Sequence, residues 1–118
     1  MKSLNKKHLA NHALISVLKK CNPEVRETMI NFLNSEGLKA LAECVYNVLY
    51  NHEISKSHKN RLKKHCSNSK KDLKKICKKK ISIKERKRLL SQNAKGSGLG
   101  TILAIGGSIL SNLLWGHS

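Results

Sequence analysis

The chain is short of proline, aromatic rings and acid. One proline (Pro23), one phenylalanine, one tryptophan and two tyrosines in 118 residues give little material for the turns and cross-strand pairs of a sandwich or barrel. A helix-rich fold suits this composition better. Seven Asp and Glu against twenty-four Lys and Arg exclude an ordinary mixed-charge surface. Paired carboxylates for acid–base work, a phosphate-cradling glycine loop and a histidine beside a nucleophile are all missing, which argues against an enzyme. No two cysteines stand in C-x-x-C spacing and the first residues lack a signal-peptide pattern. Cys21, Cys44, Cys66 and Cys77 therefore read as reduced, mostly buried thiols of a cytosolic or nuclear protein. His58, His65, Cys66 and Cys77 match no zinc spacing, so no metal and no other cofactor is expected.

What the chain has in excess is positive charge, gathered in one block. Residues 1–54 hold seven Lys and Arg against five Asp and Glu. Residues 55–95 hold seventeen against only Asp72 and Glu85, and residues 96–118 hold no charged side chain. Such a block repels itself, and its natural partner is a polyanion: nucleic acid or an anionic membrane surface. Lysine outnumbers arginine twenty to four. Arginine's planar fork suits specific base readout, whereas lysine acts as a point charge on phosphates. The block contains no aromatic residue on which single-stranded bases could stack. These features favour sequence-independent neutralisation of duplex DNA.

Hydrophobic periodicity predicts an all-α fold of five to six short helices over residues 1–95. Residues 4–21 form the first, capped by Ser3 and turning Leu14, Val17, Leu18 and Cys21 inward. Asn22 caps the second, Pro23 takes its first position, and Val25, Met29, Phe32 and Leu33 make its inner face. The third, capped by Ser35, has the cleanest stripe: Leu38, Leu41, Ala42, Val45 and Leu49. Beyond Ser55 only a thin apolar seam remains, through Leu62, His65 and Cys66 and then Leu73, Ile76 and Cys77. Ser82, with Glu85 three residues on, predicts a last capped helix.

Residues 96–118 are expected to stand apart from the 1–95 domain as a glycine-rich apolar tail. Gly96, Gly100, Ala104, Ser108, Asn112 and Gly116 recur every four residues, a stripe that permits close helix approach. Leu99, Ile102, Leu103, Ile109, Leu110, Leu113 and Trp115 then offer apolar contacts to a membrane or a partner. Three fates are open to this tail: insertion into a bilayer, self-association or docking in a protein groove, and packing on its own domain.

The order of these features resembles a known family. "NPEVRETMINFLN…LKALAECVYNVL", then "LKKHC…KKDLKKICKKKISIKERKRLL", then a glycine-opened apolar end are similar to a small basic protein of Maverick/Polinton elements and adintoviruses. The likeness spans about residues 14–115. The second half is also similar to the precursor of the adenoviral core protein mu, although this chain is lysine-rich and carries a helical domain in front. The resemblance implies a minor virion protein, met in the virion and in the host nucleus or cytoplasm during assembly. It implies that Lys63, Lys64, Lys70, Lys71, Lys74 and Lys75 bind packaged DNA, as do Lys78, Lys79, Lys80, Arg86, Lys87 and Arg88. It also implies a protease site near Ala94–Gly98, which would release the tail.

The expected function is thus a non-enzymatic, DNA-associated core protein with a membrane-active or capsid-docking tail. The rivals are a membrane-anchored or lytic protein whose lysines hold anionic lipid, a cement on the inner face of a capsid, and a chromatin-like basic protein.

Overall fold

Local capping chemistry sets most helix ends. In the computed structural model, which describes residues 2–50 and 54–115 and the side chains of 9–50 and 54–111, α1 (Lys2–Lys20) ends just ahead of Pro23. Asn22 caps α2 (Pro23–Asn31), its Oδ1 accepting from the Val25 N–H at 2.9 Å, with Pro23 and Glu24 in the first turn. α3 (Ser35–Tyr50) begins one residue earlier than its expected cap: Ser35 is already helical, and Asn34 accepts from the Gly37 N–H at 2.9 Å. Ser55 caps α4 (Lys56–Cys66) through the His58 N–H at 3.1 Å. The short α5 (Lys70–Ile76) follows. Ser82 caps α6 (Ile83–Asn93) as predicted, accepting from the Glu85 N–H at 3.0 Å. α7 runs Ser97–Trp115.

The fold is all-helical, as expected, but the described residues hold seven helices rather than five to six. The seventh is the segment expected to be a tail. α7 lies against α1, α3 and α4, and Leu99, Ile102, Leu103 and Ile105 are each at most 1% exposed. They join Ile15, Leu18, Ile30, Leu38, Leu41, Val45, Val48, Leu73, Ile76 and Leu90 in one hydrophobic cluster. The reason is supply. α4, α5 and α6 contribute only Cys66, Leu73, Ile76, Leu89 and Leu90 as buried residues, because most of their remaining side chains are basic or polar. α7 gives the seam of α4 an apolar surface to close on, while the seams of α5 and α6 close on α3, on α2 and on each other.

Small residues do govern the packing of α7, though not the predicted ones. Gly96 and Ser108 are exposed, and Gly100 and Ala104 half-buried. Close approach occurs instead at Gly98 and Gly106. A Cβ at Gly98 would stand 3.2 Å from the His65 carbonyl of α4 and closer still to Ser69 Oγ. A Cβ at Gly106 would collide with Cys44 Sγ of α3. Asn112 and Gly116 of the predicted stripe, with Leu113 and Trp115, lie outside the described side chains.

The outer helices are rotated from their predicted faces. α1 buries Ile15 and Leu18 and leaves Val17 47% exposed. α2 buries Arg26 and Ile30, with Val25 44% and Phe32 85% exposed. Its partners are α6 and α1, and a helix this short turns inward whatever completes its neighbours. α3 keeps its predicted stripe: Leu38, Leu41, Ala42 and Val45 are buried and Leu49 packs against the cluster.

The buried charge at Arg26 ties three chain ends together. Nε donates to the Leu18 carbonyl at 2.9 Å, Nη1 to the Ala94 carbonyl at 3.1 Å, and Nη2 to the Lys19 and Cys21 carbonyls at 3.4 Å each. The guanidinium thus fills the acceptors left over at the C-terminus of α1, where the helix dipole favours a cation, and fastens the end of α6 to them. Ala94 is itself fully buried, so the junction to α7 is held rather than loose.

Two stability predictions follow from these contacts. Gly106→Leu should cost about 2–3 kcal/mol or more by overpacking against Cys44. Gly107→Ala, whose Cβ would meet Ile15 at an ordinary 3.6 Å, should gain up to about 1 kcal/mol in helix propensity. Urea unfolding followed by circular dichroism reads both, and similar midpoints for the two variants would refute the packing account of α7. Arg26→Ala should cost about 2–4 kcal/mol in the same assay, since it strands buried carbonyls. Arg26→Lys should restore less than half of the loss, because an ammonium cannot reproduce the fork.

Candidate nucleic-acid interface

The lysines concentrate where helices end. α4 closes on Lys63, Lys64 and His65, and α5 on Lys74 and Lys75, so each cluster sits at the C-terminal end of a helix, where the dipole favours cations. Lys70, Lys71, Lys74 and Lys75 stand at i, i+1, i+4 and i+5 of α5, along the face opposite the fully buried Leu73 and Ile76. Lys78, Lys79 and Lys80 extend the run into the connector between α5 and α6. All nine of these lysines, from Lys63 to Lys80, are exposed.

The other predicted site residues are placed differently. Arg86 is half-buried, its Nε donating to the Ile76 carbonyl at 2.9 Å and its Nη2 to the Lys78 carbonyl at 2.8 Å. It closes the end of α5 and pins the connector. Arg88 is exposed and forms a two-pronged pair with Glu85, Nε to Oε1 at 2.6 Å. These hydrogen bonds hold the Glu85 carboxyl below the usual range, helped by the charges of Arg88 and Lys75. Lys87 is half-buried. Asp72 accepts from Asn93 Nδ2 at 3.3 Å. The block therefore presents lysines outward and spends two of its arginines on internal partners.

The apolar set predicted to meet a membrane or partner is largely internal. Leu99, Ile102 and Leu103 are buried and Ile109 and Leu110 half-buried. Among the described residues no helix is long and apolar enough to cross a membrane. Nor do three or more His, Cys, Asp or Glu side chains among them gather as metal ligands. The four cysteines are free thiols. Burial pushes Cys44 up to about 12, and Cys77 up to about 11 against the opposing pull of the Arg86 charge.

One feature of the site was not read from sequence. Tyr46 of α3 lies in a cleft of about 500 Å³ with Lys79 and Arg86, although forty residues of chain separate Tyr46 from Arg86. The aromatic ring that the basic block lacks is supplied by another helix. Neighbouring ladders at i and i+7 put Lys39 and Tyr46 on one face of α3, and that much was visible in the sequence; the connector opposite them was not.

Comparison of the chain with protein-family models, curated proteins and solved structures gives no match.

Proposed function

We propose that this protein binds duplex DNA through its phosphates, without sequence preference, and neutralises its charge. The observation that carries the reading is the run of nine exposed lysines between residues 63 and 80, with Asp72 the only acidic residue among them. Lysine ammonium groups suit phosphates and lack the fork that reads guanine. The molecule is 38 Å in its longest extent. B-DNA carries one charge per roughly 1.7 Å, so about twenty phosphates lie alongside that length, more than enough for every lysine of the run. The resemblance to the Maverick/Polinton and adintovirus protein gives this binding a setting, a packaged genome inside a virion. The reading includes no catalytic step.

A membrane or capsid role through residues 96–118 is the weaker alternative. Leu99, Ile102 and Leu103, which it needs, are buried in the cluster that α7 shares with α1, α3 and α4, so the helix would have to leave the bundle first.

Binding to labelled duplexes of different sequence should be equal within about two-fold. With about eight lysines on phosphates, log affinity should fall against log salt with a slope near −7. Lys74→Gln, Lys75→Gln, Lys78→Gln and Lys79→Gln together should weaken every duplex alike and flatten the slope by about 3–4. Arg88→Gln, which loses a cation already paired with Glu85, should do little. Titration of anionic liposomes beside the duplexes decides the class of polyanion. Stronger binding to the liposomes, or a slope near zero, would overturn the reading.

A further inference from the structure

The cleft at Tyr46 has a composition that phosphate neutralisation does not explain. One wall is the α3 face carrying Lys39, Glu43 and Tyr46 at i, i+4 and i+7; the other is Lys79 of the α5–α6 connector with Arg86 of α6. Ala42 and Cys77 make a small, half-apolar floor. Its volume of about 500 Å³ falls among sites that hold a ligand of nucleotide size. Tyr46 is 48% exposed, so much of it is open to a ligand in the cleft. Tyr50, one turn on, meets Tyr46 edge-to-face with ring centroids 4.9 Å apart, which fixes the orientation of the Tyr46 ring before any ligand arrives.

An aromatic surface beside cations suits a ligand that is both flat and anionic. We infer that this cleft binds an unpaired nucleotide of a nucleic-acid strand, its base stacked on Tyr46 and its phosphate against Lys79. The inference rests on the nucleic-acid reading above and adds to it a second mode of contact. Bases within a duplex keep their faces against one another, so Tyr46 can stack only where a base is free, in a single-stranded stretch, a gap or an end. Arg86 is held by the Ile76 and Lys78 carbonyls, and its charge forms a fixed part of the wall. Glu43 repels phosphate from the α3 side, which leaves the Lys79 side for the backbone, and its carboxylate can accept from a base amino group. From Lys79 the strand has Lys78 and Lys80 on either side, continuous with the lysines of α5.

The test is fluorescence anisotropy with the full chain, a labelled twenty-nucleotide thymidine strand and a labelled duplex of the same length. Tyr46→Leu, which removes the ring from a half-exposed position, should weaken single-strand binding by about five-fold or more. It should change duplex binding by less than about two-fold, and Tyr46→Phe, which keeps the ring, should match the unaltered protein on both. Single-strand binding indifferent to Tyr46→Leu overturns the inference and leaves the duplex reading in place; so does an equal loss on both ligands. If the unaltered protein binds neither DNA, both readings fall. Should Tyr46→Leu fail to fold, photo-crosslinking of the unaltered protein to a strand substituted with 5-bromodeoxyuridine gives an independent result. An adduct on Tyr46 is expected, and adducts confined to other peptides overturn the proposal.

Discussion

An uncharged helix buried in a strongly basic chain is the constraint on which the rest depends. α4, α5 and α6 each reach the core through one or two fully buried side chains, and apart from Leu62 and Ile83 everything else on them is polar or positive. Their mutual repulsion has to be offset by apolar burial, supplied mainly by α3 (Leu38, Leu41, Val45 and Val48) and α7 (Leu99, Ile102, Leu103 and Ile105). Because Gly98 and Gly106 have no side chain, α4 and α3 can approach α7 closely. The lysines are displaced outward as a result. The exposed cationic surface and the apolar helix are two consequences of one packing solution.

Within that solution arginine and lysine divide the work according to their geometry. Arg26 and Arg86 each direct a planar fork at carbonyls of helix ends and adjoining loops. Arg88 grips both oxygens of Glu85. All three bond to fixed acceptors in the protein, for which a rigid set of donors loses little freedom. The lysines, with flexible stems and compact charges, remain for solvent and for an anion whose groups need not be at fixed positions. This partition is what makes the surface suited to a repeating phosphate chain and poorly suited to reading bases along a duplex.

Tyr46 modifies that picture at one point. The basic segment contains no ring of its own, and a binding surface built from it alone would meet only backbone. Packing of α3 beside the α5–α6 connector brings a half-exposed tyrosine to the edge of the lysine field, next to Lys79. A residue that belongs to the nearly charge-balanced half of the chain thereby becomes part of the candidate interface.

The sequence by itself determined the helical class, the caps at Asn22 and Ser82, the inward stripe of α3, and the concentration of lysine beyond residue 55. Each of these depends on residues within a turn or two of one another, or on composition alone. The faces of α1 and α2 were legible only in part: Leu14, Leu18, Met29 and Leu33 pack inward as predicted, but Val17, Val25 and Phe32 are as apolar as Ile15 and Ile30, and only the neighbours settle which are covered. The place of residues 97–115 was not legible either: an apolar, glycine-punctuated helix has the same pattern whether lipid, a partner or its own chain surrounds it. Tertiary structure decided that its own chain does: α1, α3 and α4 pack against it. The same packing turned Arg26 and Arg86 inward and set Tyr46 against Lys79, contacts between residues far apart in sequence that no local period records.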